Sequence, residues 1–154
     1  MALNTQFSDT LVDAMAVAFA TKFDNARMYV CTGTLSGSST IGSNTVTSGA
    51  VLTVFVMPTP AFGSPTSGVL VANAIPTATA GATSGTATIV RIFDSTFAGQ
   101  ADNTALGASF SSNVLMECTA GTSNANLIIS PITAGTNVSI GSFTHEVTNA
   151  FSGQ

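Results

Sequence analysis

Charge is scarce in this sequence. Three Lys or Arg and seven Asp or Glu stand among 154 residues, where a soluble protein ordinarily commits about a quarter of its residues to charge. Residues 28–90 contain none at all. The cations are Lys22, Arg27 and Arg91. They are too few and too scattered to neutralise a phosphate backbone, which argues against nucleic-acid binding. The same shortage removes a polybasic membrane patch. No apolar run reaches the ~20 residues of a membrane-spanning helix. The opening MALNTQFSDTLVDAM lacks a basic region followed by an uninterrupted apolar stretch. No secretory leader is read there, and synthesis in a cytoplasm is the expectation.

The side chains of catalysis are equally thin. His145 is the single histidine and belongs to no HExxH, because position 149 is Asn. With no GxSxG and one histidine, a serine nucleophile has almost no choice of base. There is no P-loop, no EF-hand loop and no dinucleotide-binding glycine fingerprint. The carboxylates are Asp9, Asp13, Asp24, Asp94, Asp102, Glu117 and Glu146. Asp9 and Asp13 fall four apart on one helix face, but two ligands fall short of the roughly six to eight oxygens calcium takes. Stabilising the positive end of the helix is the role expected for them. Cys31 and Cys118 form no CxxC, and a reducing compartment favours two free thiols, with a long-range disulfide as the alternative. Asn137-Val138-Ser139 matches a glycosylation sequon that is read as a chance match without a leader. No enzyme activity, cofactor or metal site is assigned, and no partner-binding residue is singled out.

What is present is a chain of 45% hydrophobic residues diluted by Thr, Ser, Ala and Gly. Its length fits one domain spanning 1–154, with a core large enough to need no metal or disulfide. One helix is expected over about 8–23, capped by Ser8 or Asp9. Leu11, Met15, Ala18 and Phe19, flanked by Val12, Ala16 and Phe23, give it helical periodicity. From Arg27 the punctuation is that of a β protein. Strands are expected at Arg27–Thr32, Ala50–Met57, Val69–Ile75, Thr86–Asp94, Val114–Thr119, Asn126–Ser130 and Asn137–Phe143. In the fourth, Thr88, Val90 and Ile92 should face one side and Ala87, Ile89, Arg91 and Phe93 the other, with both sides at least partly covered. Thr-Ser-Gly precedes an apolar strand three times, at 47–49, 66–68 and 83–85. Either the composition spells it by chance, or it marks a turn with glycine at positive φ. The fold class expected is mainly β: an antiparallel sandwich or jelly-roll-like barrel over about 27–147, with one N-terminal helix and a short tail.

A surface so poor in ions costs little to desolvate, and the centres of obligate interfaces are depleted in charge. The composition therefore suits a subunit surrounded by neighbours.

The order of segments resembles a group of small virion proteins of tailed bacteriophages. A leading helix like LVDAMAVAFATKF runs into a strand like Arg27-Met28-Tyr29-Val30. A Phe-Gly turn enters a strand in PAFGSPTSGVLVANAI (Pro60–Ile75). GTATIVRIFDS (Gly85–Ser95), NVLMECTAGTSNANLII and ITAGTNVSIGSFTHEV follow in turn. The likeness spans about residues 11–147, and the loops at 33–49 and 97–107 depart from the pattern. It implies a structural, non-enzymatic part of the particle: a head decoration or cement protein bound to the major capsid protein or to other virion proteins. A symmetric homo-oligomer is implied, a trimer being the first symmetry to test, with residence in the virion after synthesis in the host cytoplasm. A tail, fibre or spike-base component is the alternative within the particle. A carbohydrate-binding β-sandwich is the alternative outside it, disfavoured because Trp is absent and Tyr29 is the sole Tyr.

Overall fold

The computed structural model describes residues 5–35, 46–47, 51–81, 83–96, 114–123, 125, 127–141, 143–146 and 150–151. The chain is mainly β with one N-terminal helix. In chain order the elements are β1 (Thr5–Gln6), α1 (Asp9–Ala20), a 3-10 turn (Thr21–Phe23), β2 (Arg27–Cys31), β3 (Thr34–Leu35) and β4 (Val46–Thr47). They continue with β5 (Val51–Val56), β6 (Val69–Val71), β7 (Ala78–Thr79), β8 (Ile89–Phe93) and β9 (Val114–Gly121). The last are β10 (Leu127–Ile128), β11 (Asn137–Val138), β12 (Thr144–Glu146) and β13 (Ala150–Phe151).

A five-stranded sheet in the order β10-β9-β8-β2-β5 curls into half a barrel. Its pairings are antiparallel except for β10 on β9, which is parallel. Two-stranded ladders β1-β13, β3-β4, β11-β7 and β12-β6 surround it. β2 and β8 lie in the middle, and every residue of β8 is buried. Apolar, β-branched residues on both sides of a strand are what such a position selects.

The main core lies on one face of the sheet. Met28 and Val30 of β2, Phe55 of β5, and Val90 and Ile92 of β8 point into it. Ala16 and Phe23, with Phe19 and Ala20 beside them, close it from the helix side. Phe23 lies tilted against Phe19 at 4.6 Å between ring centroids and meets Phe62 edge-on at 5.6 Å; Phe62 is 5.9 Å from Phe143. Each such pair adds about 0.5–1.5 kcal/mol beyond the area it buries, so this aromatic run fixes the end of α1 to the segments carrying Phe62 and Phe143. The opposite face holds Tyr29, Cys31, Val51, Ile89 and Phe93, with Tyr29 and Phe93 edge to face at 5.4 Å. Its described members all belong to the sheet itself.

Two register shifts adjust the ladders. Cys31 pairs with Val51 where regular pairing with Thr53 next door would give Leu52. The extra residue is a β-bulge, and it sends Leu52 to the main core while Val51 joins the opposite face. A second shift sits between Ile92 and Phe93 on the β9 side.

Several expectations need correction. The helix buries Val12 and Ala16, not Leu11 and Met15, which are 46% and 41% exposed. Ala87 belongs to the main core with Val90, not to the Ile89 side. The strands expected at Val69–Ile75 and Asn137–Phe143 are only Val69–Val71 and Asn137–Val138, and β12 begins at Thr144, beyond the last strand expected. Of the loops, 36–45, 48–50 and 97–107 lie outside the described residues; 33–49 is seen only as Gly33 and the β3-β4 ladder. Among the described residues no helix is long and apolar enough to cross a membrane.

Candidate functional site

Among the described residues, those capable of chemistry are dispersed by the fold. His145 lies on β12, half-buried, its ring stacked on Phe19 at 4.3 Å and 10°. Burial pushes its pKa below the ordinary 6.5 because the imidazolium form loses hydration there. Glu117 faces Arg91 across β8 and β9, Nε to Oε1 2.5 Å, both side chains buried. Asp94 accepts from the backbone N–H and the hydroxyl of Thr96 at 2.9 and 2.6 Å, which closes a local turn. Asp102 and the Glu146 side chain fall outside the described residues.

The thiols are set apart by the sheet. Cys31 belongs to the Tyr29 face, whereas Cys118 packs on the main core. Both are free, as a reducing compartment favours. Burial pushes Cys31 up to about 12 against the pull of the Arg91 guanidinium, and burial pushes Cys118 up to about 11. A reactive thiol sits in an exposed electropositive setting with a lowered pKa; these two are packing residues.

Asp13 has a different role from the helix-end stabilisation expected of it. Its Oδ1 accepts from the Gly68 N–H at 2.8 Å and so ties the 66–69 turn to the helix. Asp9 is the acidic residue of the first turn, and Ser8 is the N-cap, its Oγ accepting from the Leu11 N–H. No three His, Cys, Asp or Glu cluster among the described residues.

Among the described residues, a concavity lies where α1 ends. A cleft of about 370 Å³ opens between Val17, Ala20 and Thr21 of the helix end and the 60–65 segment, with Asn73 also lining it. Half of its lining residues are apolar: Val17, Ala20, Pro60, Phe62 and Pro65. Asp24 is the single charged residue lining it. The Ala61 N–H donates to Asp24 Oδ1 at 2.7 Å, and the Asn73 side-chain amide donates to the Pro60 carbonyl at 2.8 Å. The Asn73 N–H donates to the Ala61 carbonyl at 2.9 Å. Three bonds thus hold the 60–61 backbone to the helix end and to residue 73, and the cleft is built rather than incidental.

No protein-family model, curated protein or solved structure matches this chain.

Next to the cleft, α1 turns an entire face outward. Thr10, Leu11, Ala14, Met15, Val17, Ala18 and Thr21 are all exposed and uncharged, and the exposed Lys22 follows them at the C-terminal end. At 100° per residue they cover the side opposite Val12 and Ala16. An isolated surface helix ordinarily carries its charges there. Tyr29 is fully buried, and no Phe stands among the large exposed apolar residues, so no described tyrosine or phenylalanine offers an open platform.

Sequence reasoning read Asp24 only as the end of the helix. Its partner, the Ala61 amide, is 37 residues away, and no local pattern announces that pairing. The one available signal was the cluster Pro58, Pro60 and Pro65. Proline withholds backbone donors and shapes rigid loops, but it names no partner.

Proposed function

We propose that this protein is a structural subunit of a tailed-bacteriophage virion, a head decoration or cement protein that bridges and stabilises neighbouring capsid subunits, with no enzymatic role. The observation that carries the reading is the outward face of α1, where Leu11, Met15 and Val17 are between 41% and 49% exposed. An apolar surface of that kind marks a site of association. The near-absence of ions elsewhere in the chain and the resemblance over residues 11–147 support it further. On a lattice, modest contacts repeated by a symmetric oligomer add into firm attachment. Such a subunit would be made in the host cytoplasm and reside in the virion. The carbohydrate-binding alternative loses support from the burial of Tyr29.

The test is a mass-spectrometric inventory of purified particles with stoichiometry. Copies in the hundreds per particle are expected. A few to a few dozen would move the protein to the tail or fibre, and absence from particles would overturn the virion reading.

A further inference from the structure

We infer that the cleft between the end of α1 and residues 60–65 receives an arginine or lysine side chain presented by a partner polypeptide. This deepens the virion reading and rests on it only for who the partner is. The cleft has the dimensions of a ligand site, which run from about 300 Å³ upward. It offers two surfaces of different kind. Val17, Pro60, Phe62 and Pro65 form an apolar wall, and Asp24 places one carboxylate beside it. The Ala61 N–H occupies Oδ1 and leaves Oδ2 without a protein partner among the described residues. A long cationic side chain matches both, since its methylene stem covers apolar surface while its head meets the carboxylate.

The charge balance of the molecule points the same way. The net charge is −4. Of its three cations Arg91 is consumed inside the fold by Glu117, and neither Lys22 nor Arg27 is paired with Asp24 among the described residues. An acidic molecule draws basic partners. A metal ion is a poor occupant, because one carboxylate is the only charged ligand available. A free amine is a poorer one than a polypeptide, because the cleft continues through Val17 into the apolar face of α1, where residues flanking the basic side chain would lie.

The experiment is a titration of the isolated, isotope-labelled protein with acetyl-Ala-Arg-Leu-amide, followed by NMR. The same peptide carrying citrulline, which keeps the shape and drops the charge, is the control. Shifts are expected at the Ala61 amide and the Asn73 side-chain amide, with the arginine peptide bound at least about tenfold more tightly than the citrulline one. Asp24→Asn retains an oxygen to accept from Ala61, so the fold should persist, and the preference for arginine should vanish. Equal binding of the two peptides, a preference that survives Asp24→Asn, or shifts confined to another surface would each overturn the inference. Shifts at Ala61 and Asn73 that appear on concentrating the protein alone and disappear with Lys22→Gln would support the inference with a second copy as the partner. The titration needs no particle, so its failure leaves the stoichiometric inventory standing. Absence from particles, conversely, leaves the cleft's charge preference to be read by itself.

Discussion

A buried arginine sets the strictest condition in this fold. Arg91 is fully buried on the second face of the sheet, and its Cα partner across the β8-β9 ladder is Glu117. A slip of one residue would turn Arg91 into the main core, where Val90 and Ile92 now lie. The pair therefore specifies register more than it adds net stability, because desolvation offsets most of the attraction between two buried charges. Removing one partner strands the other. Arg91→Met or Glu117→Gln alone should lower unfolding free energy by about 3–5 kcal/mol in urea titrations. Arg91→Met with Glu117→Leu should come within about 1 kcal/mol of the parent or exceed it. A double variant no more stable than the singles would show that the pair contributes by itself.

His145 makes a second prediction at this scale. Its pKa is lowered in the fold, so the unfolded chain takes up a proton at a pH where the native state does not. The contribution is fully present above the unfolded value of 6.5 and is lost as pH falls through the window below it. His145→Phe keeps a ring against Phe19 and cannot protonate. Melting temperatures of parent and variant should separate progressively between pH 7 and pH 5, with the parent falling faster. A constant difference across that range would assign the acid sensitivity to the carboxylates instead.

At the scale of elements, the parts that sequence made legible are those whose pattern is local. α1 with its 3-10 extension ends at Phe23, as expected, because Ser8 caps one end and the apolar periodicity runs out at the other. β2, β5 and β8 were found within one to three residues at each end, since a strand buried on both sides must be apolar throughout. Which face of α1 turns inward was not legible. Both faces are apolar, so Leu11-Met15-Ala18 and Val12-Ala16-Phe23 satisfy the same spacing, and only the rings of Phe62 and His145 decide between them. Two short strands, β7 and β12, escaped, and β6 and β11 were expected too long, for a related reason: all four exist through partners far along the chain. Thr-Ser-Gly proved a turn once. At 66–68 Ser67 and Gly68 have φ of +50° and +79°, and Thr66 and Val69 exchange both backbone hydrogen bonds, a two-residue hairpin. At 83–85 the glycine instead packs against Thr32 and Leu52, and at 47–49 the residues beyond Thr47 lie outside the described set. Gly68→Ala should therefore cost about 1–2 kcal/mol, the penalty of a left-handed backbone at a residue with a Cβ. Thermal unfolding checks it; an unchanged melting temperature would mean that the turn adapts.

For the whole molecule the question is what covers α1. An apolar helix face is ordinarily turned to a core, yet this one leaves Leu11, Met15 and Val17 open. The cleft that was missed in the sequence lies at the end of the same face, so helix and cleft make one continuous surface. Leu11→Glu combined with Met15→Lys tests that surface without endangering the fold. Neither side chain contributes to the core, and Glu four residues before Lys adds about 0.2–0.5 kcal/mol to a helix. The variant should melt at or slightly above the parent temperature, bind less of an apolar dye, and fail to attach to particles stripped of the parent protein. Attachment equal to that of the parent, with the fold intact, would remove α1 from the proposed interface and turn the test to the sheet edges β5 and β10, where Val56 and Ile128 are exposed.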